Sequence, residues 1–223
     1  MELGEAVRLL KSHYGRPEPP PTSDPFELIL LENVAYLASP EERREAFSLL
    51  KKSIGTDPAK LLAAKPAALE SVTARGILKA VFADKLRECA RIVVQRFDGD
   101  LDAALDGSVG AAKKALRAFP GIGEPGAEKI LTFSGRHAFL APESNGLRVL
   151  VRLGLIAEDD SYAKTYAASR QAAASLPSKP GVMREAHLLL HEHGRTLCRR
   201  SAPKCEDCPL ARSCAYFVGR PRA

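Results

Sequence analysis

The segment Leu116-Arg117-Ala118-Phe119-Pro120-Gly121-Ile122-Gly123 joins two stretches of helical periodicity, 109–118 and 124–133. Its glycines allow the backbone to approach a phosphate closely. The amino terminus of the following helix supplies unbonded N–H groups and a partial positive charge. The segment therefore predicts an anion-binding hairpin between two helices, with a purely structural turn as the alternative.

Four of the five cysteines lie in the last thirty residues of the chain. Cys198, Cys205, Cys208 and Cys214 follow the spacing C-x6-C-x2-C-x5-C. Four soft ligands in a compact segment can enclose one metal centre. Structural zinc usually takes two short Cys-x-x-Cys pairs, and this segment has one. The spacing favours an iron-sulfur cluster over zinc or free thiols. Cys89 has no partner in this pattern and is predicted to be a small core residue.

The composition indicates a globular protein with a polyanionic partner. The chain carries 33 Lys and Arg against 27 Asp and Glu, a formal charge of +6, and a calculated pI near 9.1. Such a balance favours nucleic acid without identifying it. No apolar run approaches the roughly 20 residues that span a bilayer, and the amino terminus lacks a signal pattern. We expect a cytoplasmic location, nucleoid-associated in a prokaryote, and no membrane partner.

Short capped helices recur along the rest of the chain. Asp24-Pro25-Phe26-Glu27 places a cap residue before a proline at the first helical position, and the signal returns at Ser39-Pro40 and Asp57-Pro58. No strand or hairpin pattern is evident. These signals predict an all-α protein.

The hairpin and the segment His193-Gly194-Arg195-x-x-Cys198-x6-Cys205-x2-Cys208-x5-Cys214 together resemble the endonuclease III family of helix-hairpin-helix DNA glycosylases. The resemblance implies two helical lobes: a six-helix barrel over 24–136 that ends in the hairpin, and a cluster lobe built from 1–23 and 137–223. A flipped nucleotide would enter the cleft between them. It further implies a [4Fe-4S] cluster on the four cysteines, a monomer, and double-stranded DNA containing a lesion or mismatch as partner. One DNA strand would be held through its phosphates at Pro120, Gly121, Ile122 and Gly123.

The family's catalytic positions are only partly retained. Bifunctional members carry a lysine two residues after the G-x-G, where its amine forms a Schiff base with the sugar. Here that position is Pro125, so lyase chemistry by the usual route is not expected. Lys129 lies one helical turn further on. It is either a substitute amine or a solvated surface lysine.

The family's aspartate position falls on Glu143 without a gap. A carboxylate there would stabilise positive charge on the deoxyribose or position water. The extra methylene displaces it by about 1.5 Å, and a 1 Å displacement can cost about a hundredfold in rate. Glu143 is therefore either catalytic or a helix-capping, salt-bridged acid. Asn145 matches an asparagine of the adenine glycosylase branch and could orient water or sugar, or simply start a helix.

Glu32 interrupts an apolar helix and aligns with the general acid of the same branch. Burial would raise its pKa toward neutrality, as a proton donor requires. The alternative is an exposed or salt-bridged glutamate on a helix face.

Two further sets of residues are candidates for DNA contact. Val81 and Phe82, expected in a turn before Lys85, match the apolar wedge that relatives insert into the duplex, with core packing as the alternative. Arg199, Arg200 and Lys204 lie beside the cysteines and are expected to form a phosphate-binding rim. The complete pattern predicts a monofunctional glycosylase of base excision repair, or a weak or inactive paralogue that binds damaged or distorted DNA. No residue indicates which lesion is removed.

Overall fold

A computed structural model describes residues 1–219, and every regular element in that range is helical. The predicted all-α class is confirmed. The helices are α1 (Leu3–Tyr14), α2 (Pro25–Asn33), α3 (Pro40–Ser53), α4 (Pro58–Ala63), α5 (Pro66–Thr73), α6 (Lys79–Phe97), α7 (Leu101–Leu105), α8 (Val109–Leu116), α9 (Glu124–Phe133), α10 (Ser144–Leu153), α11 (Tyr162–Ala173), α12 (Pro180–Thr196) and α13 (Ala215–Val218), with a 3₁₀ turn at Ala211–Ser213.

The predicted helix starts are confirmed by their caps. The Asp24 carboxylate accepts from the Glu27 N–H at 2.8 Å, with Pro25 at the first helical position. Ser39 and Glu42 form a reciprocal capping box at the start of α3. Asp57 accepts from two N–H groups of α4. Each cap satisfies backbone donors that an isolated helix leaves unbonded.

The chain divides into two compact units. One is the continuous segment Pro20–Ile130, and the other combines Met1–Pro19 with the chain from Leu131 onward. The boundary at 130 falls inside α9, so that helix contributes to both units. The domain limits predicted from the sequence, 24 and 136, differ from these boundaries by four and six residues.

In the continuous unit, α6 packs against α2, α4, α5 and α7. Its inward face includes Leu86, Cys89 and Ala90, all fully buried. Burial raises the pKa of the Cys89 thiol to about 12, so Cys89 behaves as the apolar core residue that the sequence predicts.

The discontinuous unit is centred on α12, which packs against α1 and α10. Its core is formed by apolar side chains from all three helices, among them Leu3, Leu10, Leu150, Leu189 and Leu190. Among the described residues, no helix is long and apolar enough to cross a bilayer.

Candidate functional site

The hairpin forms as predicted between α8 and α9. Gly121 adopts φ 77°, a conformation that suits glycine. The Ile122 N–H donates to the Phe119 carbonyl at 3.2 Å, and the Ile122 side chain is buried. Gly121 and Gly123 are exposed. The turn therefore anchors itself through Ile122 and presents glycine backbone to solvent.

Asn33 supports this turn and was not identified from the sequence. Its side chain is 1% exposed and donates to the Pro120 carbonyl and to the Ile29 carbonyl, each at 3.1 Å. A Cβ on Gly121 would lie 3.2 Å from the Asn33 oxygen. A buried amide in an apolar helix is the one sequence signal that could have revealed this role.

Two glutamates, Glu124 and Glu128, lie in the first turns of α9, and their negative charge would disfavour a bound anion unless it is neutralised. Lys113 of α8 forms ion pairs with Glu124 and with Glu128, the latter at 2.8 Å. Burial lowers the pKa of Lys113, but its hydrogen bonds with the two glutamates outweigh burial and leave that pKa raised. Lys113 thus ties the two hairpin helices together.

Lys129 and Glu32 form an ion pair, with Nζ 2.6 Å from the carboxylate oxygen. Both side chains are largely buried, at 18% and 25% exposure. The interpretation of Lys129 as a solvated surface lysine is therefore wrong. Glu32 matches the salt-bridged alternative rather than an isolated acid among apolar residues, because a neighbouring cation favours the ionised carboxylate.

Pro125 is the second residue of α9, where proline is tolerated because the N–H it lacks would have no partner within the helix. No amine occupies this position.

Glu143 is the amino-terminal cap of α10. Its carboxylate accepts from the Asn145 N–H at 2.8 Å and the Gly146 N–H at 2.9 Å. His191 of α12 lies 3.2 Å away through Nδ1. Burial raises the pKa of Glu143, but the His191 contact and the two N–H donors lower it to about 2. The structure thus places a capping carboxylate here in hydrogen-bonding contact with a histidine, and His191 is a partner that the sequence did not reveal.

The Asn145 side-chain oxygen accepts a hydrogen bond from Arg148. Arg148 donates to the Asn145 oxygen at 2.7 Å, to the Gly194 carbonyl at 2.7 Å and to the Cys198 carbonyl at 2.9 Å. A Cβ on Gly194 would lie 2.6 Å from the Asn145 carbonyl oxygen. Gly194 is therefore needed for close packing of α12 on the start of α10.

The four cysteines of the tail line one cavity with Leu153, Leu197 and Leu210. Burial, together with the other three cysteines, raises the pKa of Cys208 to about 11. Two N–H groups point at sulfur: Leu210 N–H donates to Cys208 at 3.4 Å, and Arg152 donates to Cys198 at 3.5 Å. Within residues 1–219, no three His, Cys, Asp or Glu side chains are arranged to hold a single metal ion.

Phe82 does not match the predicted wedge. It lies in the first turn of α6, not in a turn before it, is 5% exposed and stacks on Tyr36 at 4.6 Å. The core-packing alternative is correct for Phe82, whereas Val81 is 48% exposed.

The most exposed apolar side chains of this region lie at two adjoining loop tips. Leu37 and Leu78 are 71% and 59% exposed, and both have positive φ, 58° and 56°. The Ile77 N–H donates to the Tyr36 carbonyl at 3.1 Å, which joins the two loops. Bulky residues rarely adopt this backbone conformation. We call Leu37, Ile77 and Leu78 the apolar tips.

Arg199, Arg200 and Lys204 are all exposed in the segment between the first two cysteines of the tail. Arg152 binds the carbonyls of Arg199 and Arg200, at 2.7 Å and 3.1 Å, and so fixes their backbone. Their cationic side chains therefore stand on an ordered segment.

The sequence matches no model of a known family. It is 28% identical to the thymine/uracil-DNA glycosylase of Pyrobaculum aerophilum over 168 residues, 74% of this chain and 69% of that protein. It is 24% identical to the endonuclease III of Thermotoga maritima over 198 residues, 89% and 86% of the two chains. A solved structure of an endonuclease III trapped covalently on DNA aligns over the full length of both chains, with a TM-score of 0.78 and 17% identity.

The fold is that of the endonuclease III-like proteins. In sequence the chain is similar to DNA glycosylases of the endonuclease III-like, helix-hairpin-helix superfamily.

Proposed function

We propose that the protein is a monofunctional DNA glycosylase that hydrolyses the N-glycosidic bond of a damaged or mismatched base flipped out of duplex DNA. The observation that carries this proposal is the Glu143 carboxylate, which α10 and His191 hold ionised with a pKa of about 2. Departure of the base leaves positive charge on the sugar, and a fixed anion stabilises that charge. Unit charges about 4 Å apart at an effective dielectric near 20 attract by about 4 kcal/mol, or about a thousandfold in rate. Asn145, held by Arg148, assists as a positioning residue for Glu143.

Glu32 donates a proton to the departing base in this proposal. Its ion pair with Lys129 favours the anion. Proton donation from Glu32 therefore requires that its contact with Lys129 be broken. The absence of an amine at Pro125 supports hydrolysis without strand cleavage.

In this proposal the protein contacts DNA at three places. The backbone of Pro120–Gly123 binds phosphates of one strand, and Arg199, Arg200 and Lys204 bind phosphates electrostatically. Val81 remains a candidate for the wedge, and the apolar tips replace Phe82 beside it, because leucine and isoleucine can enter between base steps and unstack them. Their exposure supports this assignment.

We assign a [4Fe-4S] cluster to Cys198, Cys205, Cys208 and Cys214. The residues fit such a group, since the four cysteines line one cavity, where their thiolates would need a positive centre, and Leu210 and Arg152 direct N–H donors at two of the sulfurs. When bound, the cluster supplies iron-sulfur bonds that fasten the tail. Arg148 and Arg152 hold the same tail through its carbonyls.

The alternative is an inactive paralogue that binds damaged or distorted DNA. The double role of Glu143 as helix cap and as partner of His191 favours it, because a carboxylate can be retained for those reasons alone.

A panel of duplexes that carry single lesions or mismatches distinguishes the two. Each duplex is incubated with the wild type, Glu143→Gln and Glu32→Gln, and alkali then reveals abasic sites. We expect release of at least one base by the wild type, a loss of about a thousandfold in Glu143→Gln, and a smaller loss in Glu32→Gln. Binding without release across the panel would support the inactive paralogue. Cleavage without alkali, with a borohydride-trapped adduct, would contradict the monofunctional assignment.

A further inference from the structure

Three hydrogen-bonding side chains connect the end of α1 to the cysteine tail. The Tyr14 hydroxyl lies 3.0 Å from His193 Nδ1 and 3.0 Å from Thr196 Oγ1. On the other edge of the imidazole, Nε2 lies 3.5 Å from Cys208 Sγ. His193 is 1% exposed and lines the cavity that contains the four cysteines.

The direction of these hydrogen bonds follows from the donors available. Thr196 donates its hydroxyl hydrogen to the Glu192 carbonyl at 2.8 Å. A cluster-bound Cys208 is a thiolate and can only accept. His193 must then carry its proton on Nε2, which leaves Nδ1 to accept from Tyr14. Thr196 Oγ1 competes with Nδ1 for the same hydroxyl hydrogen.

We infer that Tyr14 is a positioning residue that orients His193 to donate an N–H···S hydrogen bond to Cys208, and thereby raises the reduction potential of the cluster. This inference rests on the cofactor assigned above. A hydrogen bond to a ligand sulfur stabilises the more electron-rich, reduced form of a cluster. The amino-terminal helix, through its last residue, is thus part of the electrostatic environment of the metal centre.

The position of α1 is fixed independently of Tyr14. Lys11 forms an ion pair with Glu185 at 2.9 Å, and Leu3, Ala6 and Leu10 are buried in the core of the unit. Removal of the Tyr14 hydroxyl should therefore leave the helix in place.

The test is direct electrochemistry on the cluster-loaded full-length protein, after iron and sulfide analysis. Tyr14→Phe removes only the hydroxyl. We expect a more negative midpoint potential, equivalent to about a threefold to tenfold change in the ratio of reduced to oxidised cluster at fixed potential, where tenfold is 59 mV for a one-electron couple. Tyr162→Phe removes the hydroxyl of a half-exposed tyrosine and should leave the potential unchanged.

Thr196→Val tests whether a change in midpoint potential comes from the orientation of His193 or from a general loss of structure. It removes the competing acceptor, so His193 becomes the acceptor that remains for Tyr14, and the potential should stay constant or become more positive. A negative shift in Thr196→Val would overturn the inference even if Tyr14→Phe failed to assemble a cluster. Equal potentials in wild type and Tyr14→Phe would overturn it as well. A wild type that contains no iron would overturn the cofactor assignment and this inference together, which is a different and separately visible result.

Discussion

Arg148 donates a hydrogen bond from Nη2 to the side-chain oxygen of Asn145, at 2.7 Å. The same guanidinium binds the carbonyls of Gly194 and Cys198. Arg148→Lys replaces the planar guanidinium by an ammonium group, which cannot donate to all three acceptors at once. We expect a loss of about 2 kcal/mol in the free energy of unfolding, measured by urea denaturation. Arg8→Lys, at an exposed position of α1, should change it by less than about 0.5 kcal/mol. Similar losses of unfolding free energy in Arg148→Lys and Arg8→Lys would show that the three hydrogen bonds do not require the Arg148 guanidinium.

The contact between Glu143 and His191 predicts that the free energy of unfolding depends on pH in the acid range. The folded-state pKa of Glu143, about 2, lies below the ordinary value of 4.5. Between these values the unfolded chain binds more protons than the folded chain, so stability is present above pH 4.5 and is lost as the pH falls toward 2. The full contribution is about 3 kcal/mol. Unfolding free energies of the wild type and Glu143→Gln should therefore converge as the pH is lowered from 7 to 2.5. Glu2→Gln, at a helix start without a side-chain cap, should follow the wild type at every pH.

Pro125→Lys should add lyase activity to the proposed glycosylase. It installs an amine at the position where bifunctional relatives carry one, so a Schiff base becomes possible. We expect strand cleavage without alkali and a covalent adduct after borohydride reduction, both followed on denaturing gels. Pro125→Met, which removes the ring without adding an amine, should show neither. An adduct in the wild type that disappears in Lys129→Met would instead identify Lys129 as the nucleophile.

Asn33→Leu should weaken both the hairpin and its grip on DNA. The change removes the donor to the Pro120 carbonyl, at a cost of about 1–3 kcal/mol for a buried acceptor left unbonded. DNA affinity, measured by fluorescence anisotropy, should fall with stability. Leu61→Ala is the control, since it creates a cavity in α4 that costs at least about 2 kcal/mol without touching the hairpin. Equal affinity in Asn33→Leu and Leu61→Ala would argue against a supporting role for Asn33.

The salt dependence of DNA affinity should distinguish the contribution of the apolar tips from that of the cationic residues Arg199, Arg200 and Lys204. Leu78→Ala removes apolar contact and no charge, so affinity for a mismatched duplex should fall about tenfold with an unchanged salt slope. Lys204→Gln should reduce the slope of log affinity against log salt by about one. Both follow from titrations at several salt concentrations. A change of slope in Leu78→Ala would contradict insertion of an apolar side chain.

The elements that the sequence predicted correctly depend on short-range patterns. The cap-proline pairs at Asp24, Ser39 and Asp57 each start a helix, and the glycines at 121 and 123 form the expected turn. Such signals lie within a few residues of one another, and local backbone preferences decide them.

The features that were missed depend on residues far apart in the chain. Glu32 and Lys129 are paired across α2 and α9, and His191 reaches Glu143 from α12. No periodicity encodes such pairs. The wedge was predicted at Val81 and Phe82 in a turn before Lys85, whereas both residues lie in the first turn of α6 and Phe82 is buried. The left-handed conformation of Leu37 and Leu78 contradicts their local preference, so short-range patterns do not predict it.

The division of the chain at Pro20 and Ile130 has a consequence for biosynthesis. The segment Pro20–Ile130 is contiguous and can become compact on the ribosome as soon as it emerges. α1 precedes this segment but packs against α12, which follows it, so the apolar face of α1 is covered only after α12 has been synthesised. During that interval Leu3 and Leu10 lack their native contacts, so the apolar face of α1 is exposed to non-native association until α12 covers it.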